Sequence, residues 1–117
     1  MKYDLARLEA VAEGDKDFIV KVLKVFIVEV STDIQKMQDA FKADEMLEIS
    51  KLAHKIKPNL ILLGLDQATS LCIRIEKNRL TPMPVATLIK QLNDLQASVA
   101  EVVEVLKSDF SLVWMQK

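Results

Sequence analysis

Apolar residues recur along this chain at intervals of three and four, and only a few short breaks interrupt them. The breaks are Gly14-Asp15, Ala43-Asp44, Gly64-Leu65-Asp66 and Thr81-Pro82-Met83-Pro84, which are turn-forming combinations. Between Lys16 and Lys42 the run VKVLKVFIVEV has the β-branched content of a strand. Its periodicity is nevertheless helical. Polar residues fall at Asp17, Lys21, Lys24, Ser31, Gln35 and Asp39, and Phe18, Val22, Phe26, Val30, Ile34, Met37 and Phe41 form the complementary stripe. Asp15 occupies the N-cap position. From Pro84 onward Val85, Leu88, Leu92, Leu95, Val99, Val102 and Leu106 alternate strictly by three and four, an a/d seam, with Pro84 suited to the first turn. Two further helices are predicted from Asp44 to Leu63 and from Asp66 to Asn78, the second turning Ala68, Leu71, Cys72 and Ile75 inward. A short N-terminal helix from Asp4 to Glu13 carries Leu5 and Leu8. The expected fold is all-α: an up-down-up-down antiparallel four-helix bundle, one domain over residues 1–117, with the short first helix closing one end.

Composition narrows what such a bundle can do. Two glycines are too few for a Gly-rich phosphate loop, so nucleotide binding in that style is excluded. One cysteine excludes an internal disulfide and a cysteine-based zinc cluster, and fits a reducing cytosol. Sixteen basic and seventeen acidic residues leave a net charge of −1, so no overall field recruits nucleic acid. The first eight residues hold three charges and no apolar run, which argues against a signal peptide, and Leu60 to Leu63 is far too short to span a bilayer. A cytoplasmic domain is therefore expected. The single histidine, His54, is left to carry any imidazole chemistry.

At about 100° per residue, Ile49, Leu52, Ala53, Ile56, Leu60 and Leu63 cluster in one direction, the core. His54 points about 140° away from it, toward solvent. Leu47, Pro58, Ile61 and Leu62 make the outer face apolar, and Ser50 stands one turn before His54, so these five residues are the candidate docking surface for a partner. Lys51 and Lys57, three positions before and after His54, are its direct helical neighbours, with Lys55 beside it. Such a cluster disfavours a resting imidazolium and attracts a phosphoryl anion on the ring nitrogen. Pro58 removes the hydrogen bond to the His54 carbonyl, so a kink is expected there, either simply tolerated or opening the surface at His54. If the His54 helix and the next one pair antiparallel about Leu65, His54 and Glu76 lie equally far from the turn. Glu76 would then accept a bond from Nδ1 and leave Nε2 free; the same position also suits an ordinary solvated glutamate. No second metal ligand is supplied at the helical neighbours, which are Lys57 and Pro58. Cys72 reads as core. The tail of Phe110, Trp114 and Met115 fits packing over an open bundle end better than self-association, so a monomer is expected.

His54, Ile56, Lys57, Pro58, Asn59 and Gly64 meet in order a signature of the form His-x-Leu/Ile-Lys-Gly/Pro-Ser/Ala/Asn with Gly ten positions after the His. Tyr3-Asp4-Leu5 followed by Gly14-Asp15 and Phe18 adds a matching opening. In these residues the chain resembles the histidine-containing phosphotransfer (HPt) domain family. The resemblance implies a phosphohistidine carrier in a multistep two-component phosphorelay. Its partners would be response-regulator receiver domains or a hybrid sensor histidine kinase, with no nucleic acid and no membrane. His54 would be the phosphorylated nucleophile, taking a phosphoryl group from a receiver aspartyl phosphate and passing it to another receiver. Lys57 matches the motif lysine and would contact the phosphoryl oxygens; Lys51 and Lys55 join it on spacing alone. No cofactor is expected on this chain, Mg²⁺ belonging to the receiver, and no autonomous kinase activity is implied. Many members carry small residues where this chain has Pro58 and Ile61. The competing reading is a helical module that binds a receiver without transfer. Both a free-standing carrier and a module of a hybrid kinase fit the sequence.

Overall fold

A computed structural model describes residues 3–111, which form five α-helices and one 3-10 turn. They are α1 (Ala6–Ala12), α2 (Lys16–Lys42), α3 (Met46–Leu62), α4 (Asp66–Glu76) followed by the 3-10 turn Lys77–Arg79, and α5 (Val85–Asp109). α2 packs on α3, α3 on α4, α4 on α5, and α5 returns to α2, so the four long helices close an antiparallel ring. The 44 Å long axis reflects α2, whose 27 residues span about 40 Å. α1 lies against α2 and contributes Leu5, Leu8 and Ala12 to the core.

The predicted boundaries shift where capping chemistry intervenes. α2 starts where Asp15 accepts from the Phe18 amide at 3.0 Å. It ends at Lys42, and two residues on Asp44 adopts a left-handed φ of 60° so that the Glu45 amide reaches the Ala40 carbonyl at 2.8 Å. α3 therefore begins two residues later than Asp44. Gly64, at φ 66°, closes α3 in the same way, with the Leu65 amide on the Leu60 carbonyl at 3.0 Å. Its missing side chain has a second use: a Cβ there would stand 2.6 Å from Asp4 Cβ and 2.8 Å from the Asp4 carbonyl oxygen. The Asp4 amide donates to the Leu63 carbonyl across this contact at 2.9 Å, which ties the N-terminal segment to the end of α3. Pro58 does not end α3, which continues to Leu62. Pro84 is the N-cap of α5 rather than its first helical residue.

The core contains the expected rows of α3, α4 and α5, with two corrections. Phe18 and Val85, placed on buried stripes, are exposed. Val85 is in the first turn of α5, beyond the reach of the ring, and Phe18 sits at the margin of an arc that is wider than one stripe. α2 faces α1, α3 and α5 together, so Ile19, Leu23 and Ile27 are buried as well. Tyr3 donates to Asp109 at 2.6 Å and packs its ring 6.5 Å from Phe110, which is half-buried at the end of α5. Trp114 and Met115 lie outside the described residues. No helix of the described residues is long and apolar enough to cross a membrane.

Candidate functional site

α3 buries Ile49, Leu52, Ala53, Ile56 and Leu60 and turns His54 outward, with its side chain 73% exposed. α4 runs antiparallel beside it and brings Glu76 level with His54. Glu76 Oε2 lies 2.6 Å from His54 Nδ1, and its other oxygen accepts from Lys57 Nζ at 2.8 Å. One carboxylate thus bridges the imidazole and the ammonium. The Lys57 bond holds the Glu76 carboxyl below its ordinary value, with the His54 contact adding to it and partial burial opposing. An ionised carboxylate only accepts hydrogen bonds, so the proton in this contact sits on Nδ1. In the neutral ring Nε2 then carries the lone pair, and it has no protein partner among the described residues.

The layer beneath is apolar and firm. Cys72 of α4 is fully buried and donates to the Ala53 carbonyl at 2.9 Å. Burial, and then the nearby Glu76 carboxylate, push its thiol up to about 12. It is therefore a neutral strut between α3 and α4 rather than a nucleophile.

The three lysines separate in space. Lys57 turns to α4 and Glu76. Lys55 turns to α2, where its ammonium meets both oxygens of Asp33 at 3.1 and 3.0 Å. Asp33 is buried, its side chain 4% exposed, and was not singled out in the sequence; the only trace is a carboxylate between Val30 and Ile34 on the buried arc of α2. Lys51 remains on the exposed face, bordering an open groove with Leu47 and Glu48 of α3 and Lys36 and Asp39 of α2. The sequence expectation of three ammonium groups clustered around the imidazole thus gives way to two carboxylate-paired lysines and one without an ion pair among the described residues.

Among the expected docking residues, Leu47, Pro58 and Ile61 are exposed and Leu62 is half-buried. Ser50 is a correction: it is only 2% exposed, and its hydroxyl has no partner. Ser50 lies on the same flank of α3 as Lys57, the flank that packs against α4 and the 3-10 turn, so it is covered by them. A residue one helical turn away from an exposed one is rotated about 40°, enough to cross the edge of a packed face. The structure adds Val25 and Val28, exposed on α2, with Val25 joining Leu62 and Asn59 along a shallow groove between α2 and α3. Val28 stands in the polar row of α2, four residues after Lys24 and three before Ser31, so the spacing marks it as surface; Val25 belongs to neither the polar row nor the apolar stripe.

The described residues contain no group of three or more His, Cys, Asp or Glu side chains arranged to hold a metal ion. A family model described as Hpt domain matches residues 21–105, from the first turns of α2 to near the end of α5, and includes the whole of the His54 helix. No curated protein and no solved structure matches the chain.

Proposed function

The chain belongs to the Hpt domain family of phosphotransfer carriers, which interact with response-regulator receiver domains, and from that membership we propose that His54 is its phosphorylated residue. The observation that supports this most is the exposed imidazole whose Nδ1 is held by Glu76 at 2.6 Å. In this reading Nε2 attacks the phosphorus of a receiver aspartyl phosphate. The Nε2–P bond forms as the acyl O–P bond breaks, and the receiver carboxylate leaves. The ring takes up positive charge because Nδ1 keeps its proton, and the Glu76 carboxylate faces that charge. Mg²⁺ and the remaining charge stabilisation come with the receiver, so this chain supplies mainly positioning. Return transfer to a second receiver is the same step reversed, in the cytoplasm where receivers work. Leu47, Pro58, Ile61 and Leu62 form the surface on which the receiver docks.

The test is transfer from a phosphorylated receiver with Mg²⁺. Wild type acquires an acid-labile, base-stable phosphate and His54→Gln acquires none. Equal labelling of His54→Gln refutes the assignment. Binding of the receiver with no label on wild type supports the non-catalytic module instead.

A further inference from the structure

Pro58 stands inside α3, and the helix continues past it to Leu62. A proline has no backbone N–H, so the His54 carbonyl, four residues back, loses its helical donor, and the ring crowds that carbonyl. The neighbouring amides are already in use. In the α-helical register the Lys57 amide goes to Ala53 and the Asn59 amide to Lys55. Among the described residues, the side chains that donate to α3 carbonyls are Arg7, to Ile61 at 3.1 Å, and Cys72, to Ala53 at 2.9 Å. Neither serves His54. A helical carbonyl points along the axis toward the residue four positions on, and Pro58 is exposed, about 40° around α3 from His54. The free acceptor therefore opens on the outward face of α3, beside the imidazole and within reach of solvent.

The surface around it is apolar. Leu47 and Ile61 lie two turns before and after His54, 55% and 40% exposed, and half-buried Leu62 follows Pro58 by one turn. A receiver that brings its phosphorus to Nε2 must close over this turn, because reacting atoms have to come within about 3–3.5 Å. Closing an apolar contact over an unpartnered carbonyl carries the desolvation penalty of that group in full. We propose that the His54 carbonyl is itself a recognition point, and that the receivers this chain serves present an N–H or O–H donor to it beside their phosphoaspartate. Pro58 is the positioning residue that keeps the carbonyl available. The proposal rests on the phosphohistidine reading above and adds a specificity to it. A receiver with only apolar atoms at that point is rejected, since docking would bury the acceptor unpaired.

The experiment changes the N–H at position 58 in the full chain. Pro58→Ala supplies an amide that closes the helix onto the His54 carbonyl. Pro58→lactic acid, made by ligation of synthetic segments, carries the same methyl group on an ester linkage with no N–H. It matches alanine in size and proline in leaving the carbonyl free. Each variant is labelled by a phosphorylated receiver with Mg²⁺ that labels wild type, and separately by phosphoramidate, which has no surface to cover the carbonyl. In the second reaction the Nε2–P bond forms as the P–N bond breaks, and the leaving nitrogen takes up a proton and departs as ammonia. The ratio of the two initial rates cancels any change in the reactivity of His54 itself. In Pro58→Ala this ratio falls about tenfold, the scale of one buried donor left without its acceptor, and in Pro58→lactic acid it stays within about threefold of wild type. An unchanged or higher ratio in Pro58→Ala overturns the proposal. Equal falls in both variants also overturn it and assign the effect to the proline ring. Absence of label on wild type, or equal label on His54→Gln, refutes the phosphohistidine reading itself and this proposal with it.

Discussion

Glu76→Ala removes at one stroke the partner of His54 Nδ1 at 2.6 Å and of Lys57 Nζ at 2.8 Å. A hydrogen bond to an ionised group contributes about 1.5–3 kcal/mol when shielded, and the exposure of His54 reduces this to about 1 kcal/mol. At about 1.4 kcal/mol per tenfold, the Nδ1–H tautomer is held by a factor of roughly five, and the carboxylate offsets ring charge during transfer by a similar factor. Glu76→Ala is therefore expected to slow labelling from a phosphorylated receiver about tenfold or more. Glu76→Gln, whose amide oxygen still accepts from Nδ1–H without a charge, is expected to lose about half of that effect on a logarithmic scale. Histidine ¹⁵N spectra check the tautomer separately from the rate. Labelling of Glu76→Ala at the wild-type rate, or a wild-type ring protonated on Nε2, would refute the reasoning. Acid stability gives an independent check. The Glu76 carboxyl lies below its ordinary value of 4.5 in the folded chain, because of Lys57 first and His54 second. Its contribution is thus present above about pH 4.5 and lost as pH falls through the lower native value. The stability gap between wild type and Glu76→Gln in urea is expected to be open at neutral pH and to narrow in acid. A gap of constant size would mean that the carboxylate charge is not its cause.

Two further substitutions probe the frame around the site. Gly64→Ala puts a side chain on a left-handed residue at φ 66° and 2.6 Å from Asp4 Cβ, so a loss of about 2 kcal/mol and a fall in Tm of roughly 8–16 °C are expected in calorimetry. An unchanged Tm would show that the N-terminal segment does not rest on Gly64. Lys55→Ala leaves Asp33, 4% exposed, without its cation, and about 2 kcal/mol is expected to disappear in urea titrations, since the lysine itself is partly solvated. The pair Asp33→Leu/Lys55→Ala recovers most of it, and labelling of His54 is unaffected in both; a labelling defect in the recovered pair would give Lys55 a chemical role.

Much of this molecule was legible in the chain because helices are local objects. The period of apolar residues, Asp15 as a cap and the short breaks depend on neighbours within one or two turns, and they lead directly to the all-α bundle and to its helix limits within about two residues. The outward direction of His54 follows from the same rotation, as does the placing of Glu76 at its level once α3 and α4 are antiparallel. The errors occur where burial depends on more than one helix. Ser50 and Phe18 stand at the edges of packed arcs, and whether an edge residue meets solvent is set by the neighbouring helix and not by its own periodicity.

The lysines mark the boundary most clearly. By itself the sequence determined that Lys51, Lys55 and Lys57 share one helix with His54, with Lys57 set apart by the motif it matches and the other two joined to it by spacing alone. Only the tertiary structure decided which are committed, because their partners Asp33 and Glu76 come from α2 and α4, 22 and 19 residues away. A charge close in sequence is a fixed neighbour, whereas the carboxylate that neutralises it is chosen by how helices pack, and that choice settles which ammonium groups are held in ion pairs.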